Sequence, residues 1–256
     1  MKIASWNVNS LRVRLPHVLE WLDEARPDLL ALQETKLTDE QFPAEAIHDA
    51  GYHVAHAGQA TYNGVAVVSR WPLDAVMSDI PGLDDEARRI LGATVGELRL
   101  LNLYVPNGKE VGSDKYDYKL RWMRALAEHI ADEMQGHRYY VVVGDFNVAP
   151  SDADVHAPEL WEERILCSTP EREAFNRLLE TGLEDTFRLF DQPAETFSWW
   201  DYRGSAFRYN RGLRIDHILA NPALAQRCRW STVDIAPRRR GRPSDHAPVV
   251  AEFDLD

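Results

Sequence analysis

Apolar residues gather in short runs along the whole chain, and many of the runs are continuous where a half-buried strand would alternate. Leu29–Leu32, Val65–Val68 and Val141–Val143 are apolar at every position. Such strands are covered on both faces, because an alternating pattern would suffice if one face met water. Runs of this kind predict strands over Lys2–Trp6, Asp28–Gln33, Gly64–Ser69, Ile90–Val95, Leu98–Val105, Tyr139–Val143, Leu213–Ala220 and Pro248–Phe253. Between them the period changes to that of a helix. Leu15, Val18, Leu19, Leu22 and Ala25 fall on one helical face, with Pro16 tolerated in the first turn. Leu120, Met123, Leu126, Ala127 and Ile130 predict a second helix, and Phe175, Leu178 and Leu179 a third. Strands interspersed with helices read as α/β layers. Thr61–Gly64 and Val105–Gly108 are turn-rich and read as rim loops.

The polar residues that interrupt the strand ends carry more than the runs themselves. Trp6-Asn7 follows the first strand, Gln33-Glu34-Thr35 the second, and Gly144-Asp145-Phe146-Asn147 follows Tyr140–Val143. Asp216 and His217 sit inside Leu213–Leu219, and Ser244-Asp245-His246 stands just before the last strand. Separate apolar strands thus deliver Asn, Glu, Asp, Asn, Asp, Asp and His, a set suited to a hard metal ion and a phosphate. Ile3–Val8 and Val142–Val148 share a weak likeness, each a strand ending in aromatic-Asn-Val. Two facing sheets would bring those ends together.

Composition changes this picture little, and charge changes it more. Of the 256 residues 45% are hydrophobic and 27% charged, ordinary for a soluble globular protein. No apolar run approaches the ~20 residues of a membrane helix. The chain enters a strand pattern by residue 3 without a basic-then-apolar leader, so a cytoplasmic location is expected. No linker rich in Pro, Gly or Ser divides it, which favours a single domain over 1–256. Cys167 and Cys228 have neither metal-type nor disulfide-framework spacing. The net charge of −12 argues against a nucleic-acid partner. Its distribution does not: between Arg203 and Arg242 stand ten arginines against Asp216 and Asp234, an excess of +8 that leaves −20 elsewhere. Arg238-Arg239-Arg240, just before Ser244-Asp245-His246, reads as a phosphate-facing loop on a cationic face.

Read together, these motifs resemble the exodeoxyribonuclease III family within the endonuclease–exonuclease–phosphatase superfamily, over nearly the whole of Lys2–Phe253. The most specific stretches are Trp6–Arg12, Gln33–Lys36, Thr196–Arg203 and Asn210–Asp216. The resemblance implies a four-layer α/β sandwich of two packed mixed sheets flanked by helices. It also implies a Mg²⁺-dependent DNA-repair nuclease, with Mn²⁺ as a substitute, that cuts 5′ to abasic sites and trims 3′ ends of double-stranded DNA. A compact chain with dispersed motifs is expected to be a monomer.

A phosphodiester is anionic and its leaving alkoxide is poor, so hydrolysis needs charge neutralisation, a positioned water and help for the leaving oxygen. Mg²⁺ suits the first need and prefers oxygen ligands. Glu34 with Asn7, joined by Asp245, is the core of the expected set, and Asp145, Asn147 and His246 complete it. The resemblance assigns Asp145 to orienting and deprotonating the attacking water, and Asn147 to holding that water or a phosphate oxygen. It gives His246 the phosphoryl charge, Asp216 the partnering of His246, and Tyr104 the leaving group. Gly144-Asp145 equally invites an ordinary Asx-turn. His217, next to Asp216, should face the other way and be structural. An abasic-site pocket needs an aromatic wall that accepts bare deoxyribose, and Trp199 stands where the family places it. Phe197 is expected beside it, with Arg203 and Arg238–Arg240 on the DNA. Of Trp199 and Trp200, one should line the pocket and the other the core. Three other readings use the same residues: a superfamily phosphatase on a small phosphoester, a DNA-binding module without catalysis, and a family member restricted to 3′-end processing. The Arg203–Arg242 excess and Trp199 disfavour the first. The second requires a lost core group, and none of the seven is missing.

Overall fold

The computed structural model describes every residue except Asp84 and Asp256. The elements run β1 (Lys2–Asn7), α1 (Leu11–Ala25), β2 (Leu29–Gln33), α2 (Ala44–Asp49), β3 (His53–Ala57), β4 (Val65–Ser69), β5 (Asp74–Met77), β6 (Ile90–Val95) and β7 (Leu98–Tyr104). There follow α3 (Asp114–Glu133), β8 (Tyr139–Asp145), α4 (Pro158–Trp161), α5 (Thr169–Glu180), β9 (Glu184–Asp185), β10 (Asp216–Ala220), α6 (Pro222–Ala225), β11 (Cys228–Val233) and β12 (Val249–Phe253). They form two six-stranded sheets, β11-β12-β1-β2-β4-β3 and β5-β6-β7-β8-β10-β9. Each is mixed: β1–β2 and β7–β8 are parallel, and the other pairs are antiparallel.

The continuous apolar runs explain the layering. One face of each sheet meets the other sheet in a core that includes Ile3, Leu29, Val67, Leu100, Val141, Val143 and Phe253. The outer face of the first sheet, through Ala4, Trp6, Leu30 and Leu32, packs on Val18, Trp21 and Leu22 of α1. The outer face of the second, through Leu101, Tyr140 and Val142, packs on Trp122, Leu126 and Phe175 of α3 and α5. Helices, sheet, sheet, helices: this is the four-layer sandwich that was expected.

All eight predicted strands are present. Helix α1 starts earlier than its periodicity suggested, at Leu11, so Pro16 lies past its first turn. The ring therefore deletes the bond that residue 16 would have donated to the Arg12 carbonyl. At Gly144 the backbone has φ of 147°, and a Cβ would lie 2.0 Å from the Leu103 carbonyl oxygen. Only glycine lets β7 and β8 approach there, one residue before Asp145.

Parallel β1 and β2 end together at Asn7 and Gln33, with Glu34 next. In the facing sheet β7 and β8 end together at Tyr104 and Asp145, and antiparallel β10 starts opposite them at Asp216. Both sheets thus present their polar termini at the same end of the sandwich. Among the described residues, no helix is long and apolar enough to cross a membrane.

Candidate active site

Asn7 joins the two sheets. Its side-chain nitrogen donates both to Glu34 Oε1 at 2.8 Å and to Asp145 Oδ2 at 2.9 Å. The other half of each strand-end residue makes the same local turn: Asn7 Oδ1 accepts from the Asn9 N–H and Asp145 Oδ1 from the Asn147 N–H, both at 2.9 Å. The Asx-turn at Gly144-Asp145 is therefore real, and it leaves the second carboxylate oxygen free to face Asn7. Glu34 and Asn147 both have positive φ, 53° and 50°. Non-glycine residues rarely adopt this region, and such strain concentrates where a site over-determines the backbone.

His246 is buried between carboxylates. Its Nδ1 lies 2.9 Å from Asp216 Oδ2, and its Nε2 is 3.7 Å from Asp145 Oδ2. The Ser198 hydroxyl donates to Asp216 at 2.6 Å and fixes it from behind. Burial disfavours the imidazolium, but Asp216, Asp145 and Asp245 outweigh it and raise the His246 pKa well above its ordinary value. Burial, tempered by His246 and reinforced by Asp216, pushes the Asp145 carboxyl up. His217 lies on the opposite side of β10, within 3.1 Å of the Val148 carbonyl, and burial with Arg214 nearby drives its pKa down to about 4. It is a neutral core residue.

Tyr104 is half-buried. Burial and the carboxylates of Glu34 and Asp145 raise its phenol well above the usual range, so it is a neutral O–H at any working pH. The Arg89 guanidinium stacks 4.9 Å over its ring. Asn147 is engaged on both sides, accepting from Asn107 Nδ2 and donating to the Val105 carbonyl, each at 3.0 Å.

Glu34, Asp145 and His246 each offer an atom within 4.8 Å of the others', and with His246 protonated beside Asp216 the two carboxylates are the ones free to hold a metal ion. The donors in and around this group are carboxylate, amide and imidazole, with no thiolate. Four carboxylates (Glu34, Asp145, Asp216, Asp245) stand against three cations: His246, Lys36 at 2.8 Å from Glu34, and Arg238 near Asp245. An added hard cation fits that imbalance. Asp245, expected in the ligand set, lies outside this group of three. Its oxygens accept instead from Asn9 Nδ2 at 2.9 Å and Trp199 Nε1 at 3.1 Å.

The two tryptophans differ in exposure: Trp200 is 2% exposed, whereas Trp199 is partly open and bridges Leu213 to His246. Phe197 is a correction. At 1% exposure it belongs to the core between the sheets and presents no open face beside Trp199. The cationic loop is a second correction. Arg238 is buried, with its guanidinium 4.7 Å from the Phe207 ring and donating to the Ser244 carbonyl. Arg240 pairs with Glu20 and Glu24 of α1. Arg239 alone of the three is exposed and makes no ion pair among the described residues, while exposed Arg203 pairs with Asp201. Arg214 lies in the core with Asp154 and Asp185, and Arg229 at the far end of β11 with Asp254. Burial and ion pairs thus neutralise part of the local excess of +8 within the fold, and exposed Arg203, Arg208, Arg211, Arg239 and Arg242 carry much of the rest.

Sequence reasoning assigned nothing to Asn9, Lys36 or Ser198, although all three lie inside the stretches that carried the resemblance. A short polar residue two positions past a strand end, as Asn9 is past Asn7, was the available signal.

Comparison with known proteins identifies the family and the fold. The sequence pattern of the Endonuclease/Exonuclease/phosphatase family matches residues 4–246. Exodeoxyribonuclease III of Haemophilus influenzae is 39% identical over 267 residues, covering 99% of this chain and all of the relative. Among solved structures, the 3′ phosphatase NExo from Neisseria, bound to a product DNA hairpin, superposes with a TM-score of 0.98 at 48% identity, with both chains fully covered. An AP endonuclease from Archaeoglobus fulgidus superposes at 0.95 with 38% identity, also over both whole chains.

Proposed function

The chain belongs to the endonuclease/exonuclease/phosphatase family and, within it, to the exodeoxyribonuclease III family, and from this premise we propose that it hydrolyses DNA phosphodiesters 5′ to abasic sites and trims blocked 3′ ends. The observation that carries the reading is the Asn7 amide held between Glu34 of one sheet and Asp145 of the other. It joins a candidate metal ligand to a candidate base in one rigid unit.

Mg²⁺, with Mn²⁺ as the alternative, would be held by Glu34 with its neighbours Asn7 and Asp145, and would supply positive charge to the phosphoryl oxygens and acidity to a bound water. The protein's own groups do the rest. Asp145 accepts the proton of the attacking water, since its raised pKa makes it a stronger base than an exposed carboxylate. Its geometry is set by Asn7 and by the Asn147 N–H. Asn147, through its side chain, keeps Asn107 at the rim of the same site. Asp216 holds His246 protonated, which places a buried cation where phosphoryl charge grows. Tyr104 donates its neutral O–H towards the departing oxygen. Trp199, pinned through its indole N–H to Asp245, offers an aromatic wall to a baseless sugar. Double-stranded DNA is the partner in this reading, and a cytoplasmic monomer the form in which it acts.

A second reading restricts the activity to 3′ ends. The higher identity to the Neisseria 3′ phosphatase than to the Archaeoglobus AP endonuclease favours it. A labelled duplex with one central abasic site, run beside undamaged and 3′-phosphate duplexes with Mg²⁺ and with chelator, separates the two. A single Mg²⁺-dependent cut at the abasic site is expected. Removal of the 3′-phosphate without that cut would give the second reading, and no hydrolysis of either would overturn both. Given the central cut, Trp199→Ala is expected to lower the preference for abasic over undamaged duplex about tenfold or more, as losing a shape-selective wall does.

A further inference from the structure

Among the described residues Lys119 is the one buried lysine, with 0% of its side chain exposed. It lies in the second turn of α3, and its charge is opposed by Glu171, equally buried, at the start of α5. An ammonium has three N–H donors. One goes to the Glu171 carboxylate, one to the Asn147 carbonyl at 2.6 Å, and one to the Asn107 carbonyl at 3.3 Å. Asn107 and Asn147 are the residues whose side chains bond each other at the rim of the site. The next residue after Asn107 leaves room for the lysine: a Cβ on Gly108, at φ of 87°, would lie 3.1 Å from Lys119 Cδ.

Glu171 has a separate purpose. It closes a capping box with Ser168, accepts from the Leu166 N–H at 3.1 Å, and through Ser168 meets the Tyr116 hydroxyl. Those bonds tie α5 to α3 and reach no residue of the site. The bonds of Lys119 to the two carbonyls do. They hold the backbone of Asn147 in its left-handed conformation, and the Asn147 N–H in turn holds Asp145 Oδ1 at 2.9 Å.

We propose that Lys119 is a positioning residue for hydrolysis, fixing Asn147 and Asn107 from behind so that the Asp145 carboxylate is presented in one orientation. The inference rests on the nuclease reading above. A change of about 1 Å at reacting groups costs up to ~100-fold in rate, which is the scale at stake.

Lys119→Met alone would strand the Glu171 charge in the core and risk the fold. The double variant K119M/E171Q removes both charges and keeps an acceptor for the capping box. E171Q alone keeps the amine at both carbonyls while losing the ion pair. The test compares kcat and KM of the three proteins on whichever duplex, abasic or 3′-phosphate, the wild type cuts, together with crystal structures. K119M/E171Q is expected to lose roughly 10–100-fold in kcat with KM little changed, and its Asn107–Asn147 side-chain bond should be broken. E171Q is expected to stay within about threefold of wild type in kcat, whatever it loses in melting temperature. An equal kcat loss in E171Q, a double variant within about threefold of wild type, or an unmoved asparagine pair would overturn the proposal. Wild-type protein that cuts neither duplex would overturn the nuclease reading instead. The asparagine geometry in the crystals would then decide the positioning claim by itself.

Discussion

Asp145→Asn is expected to lower turnover on the cleaved duplex by two or more orders of magnitude while leaving duplex binding near wild type. That loss corresponds to about 3 kcal/mol or more of transition-state stabilisation, the scale of a lost general base combined with lost preorganisation. The substitution is nearly isosteric, so packing in this fully enclosed position is kept. What changes is chemistry. Asparagine retains one oxygen for the Asn147 N–H, but its new NH₂ then faces the Asn7 NH₂, which now donates to Asp145 Oδ2 at 2.9 Å. Turning the amide over moves the same donor–donor conflict to Asn147. The base is gone, and His246 loses one of the carboxylates that keep it cationic. Single-turnover cleavage with saturating protein, and fluorescence anisotropy on an uncleaved duplex, separate chemistry from binding. Turnover within tenfold of wild type, or a binding loss that accounts for the whole effect, would remove Asp145 from the role of base.

What could be read from the chain divides along physical lines. The eight strands recognised from apolar runs are the inner strands of both sheets, buried on two faces. The four that escaped notice, β3, β5, β9 and β11, are the four sheet edges. Edge strands bury less: Asp74-Ala75-Val76-Met77 of β5 is exposed at three of its four positions, and β11 reads Cys-Arg-Trp-Ser-Thr-Val. Without a continuous run or a clean alternation they have no signature to find. Asn7, Glu34, Tyr104 and Asp145 were legible because each closes or directly follows an inner strand, where a polar group has no structural reason to follow three or four apolar ones, and Asp216 and His246 because they stand at or just before the start of one. Arginine counting overstated the free charge for a complementary reason. Composition records charge and is blind to partners, and the buried acids Asp154 and Asp185 that neutralise Arg214 lie 60 and 29 positions earlier. Lys119 was invisible in the same way. It stands in a polar, charge-rich segment, and only the packing of α3 on α5 shows that its ammonium is enclosed. Phe197 shows the limit of reading by neighbourhood: two positions from Trp199 on an irregular segment, it follows the core and not the pocket.

Asp216→Asn is expected to shift the alkaline limb of the rate profile to lower pH and to cost more activity at pH 9 than at pH 6. In the wild type Asp216 is the strongest influence that raises the His246 pKa, against the opposing effect of burial. The imidazolium therefore persists well above the ordinary value of about 6.5, and a rate that needs it stays level through neutral pH. With the carboxylate replaced by an amide, burial is opposed by Asp145 and Asp245 alone, so the proton leaves at lower pH. The substituted side chain would still present an oxygen to His246 Nδ1, but its NH₂ would meet the Ser198 hydroxyl, which now donates to Asp216 Oδ2 at 2.6 Å. Orientation is thus loosened as well, and a loss of roughly 10²-fold or more at pH 8 follows from removing a buried charge-stabilising group. Stability should move with the same sign. A raised His pKa contributes stability that is complete below about pH 6.5 and is lost as pH rises through the folded-state value. The wild type should therefore weaken on the alkaline side through this group, and the variant should lose that dependence along with the pair's contribution at neutral pH. Rate profiles and melting temperatures from pH 6 to 10, on both proteins, supply the test. A variant whose profile is merely lowered, with its alkaline limb unmoved, would show that His246 does not act as the cation and that Asp216 serves only to hold the ring.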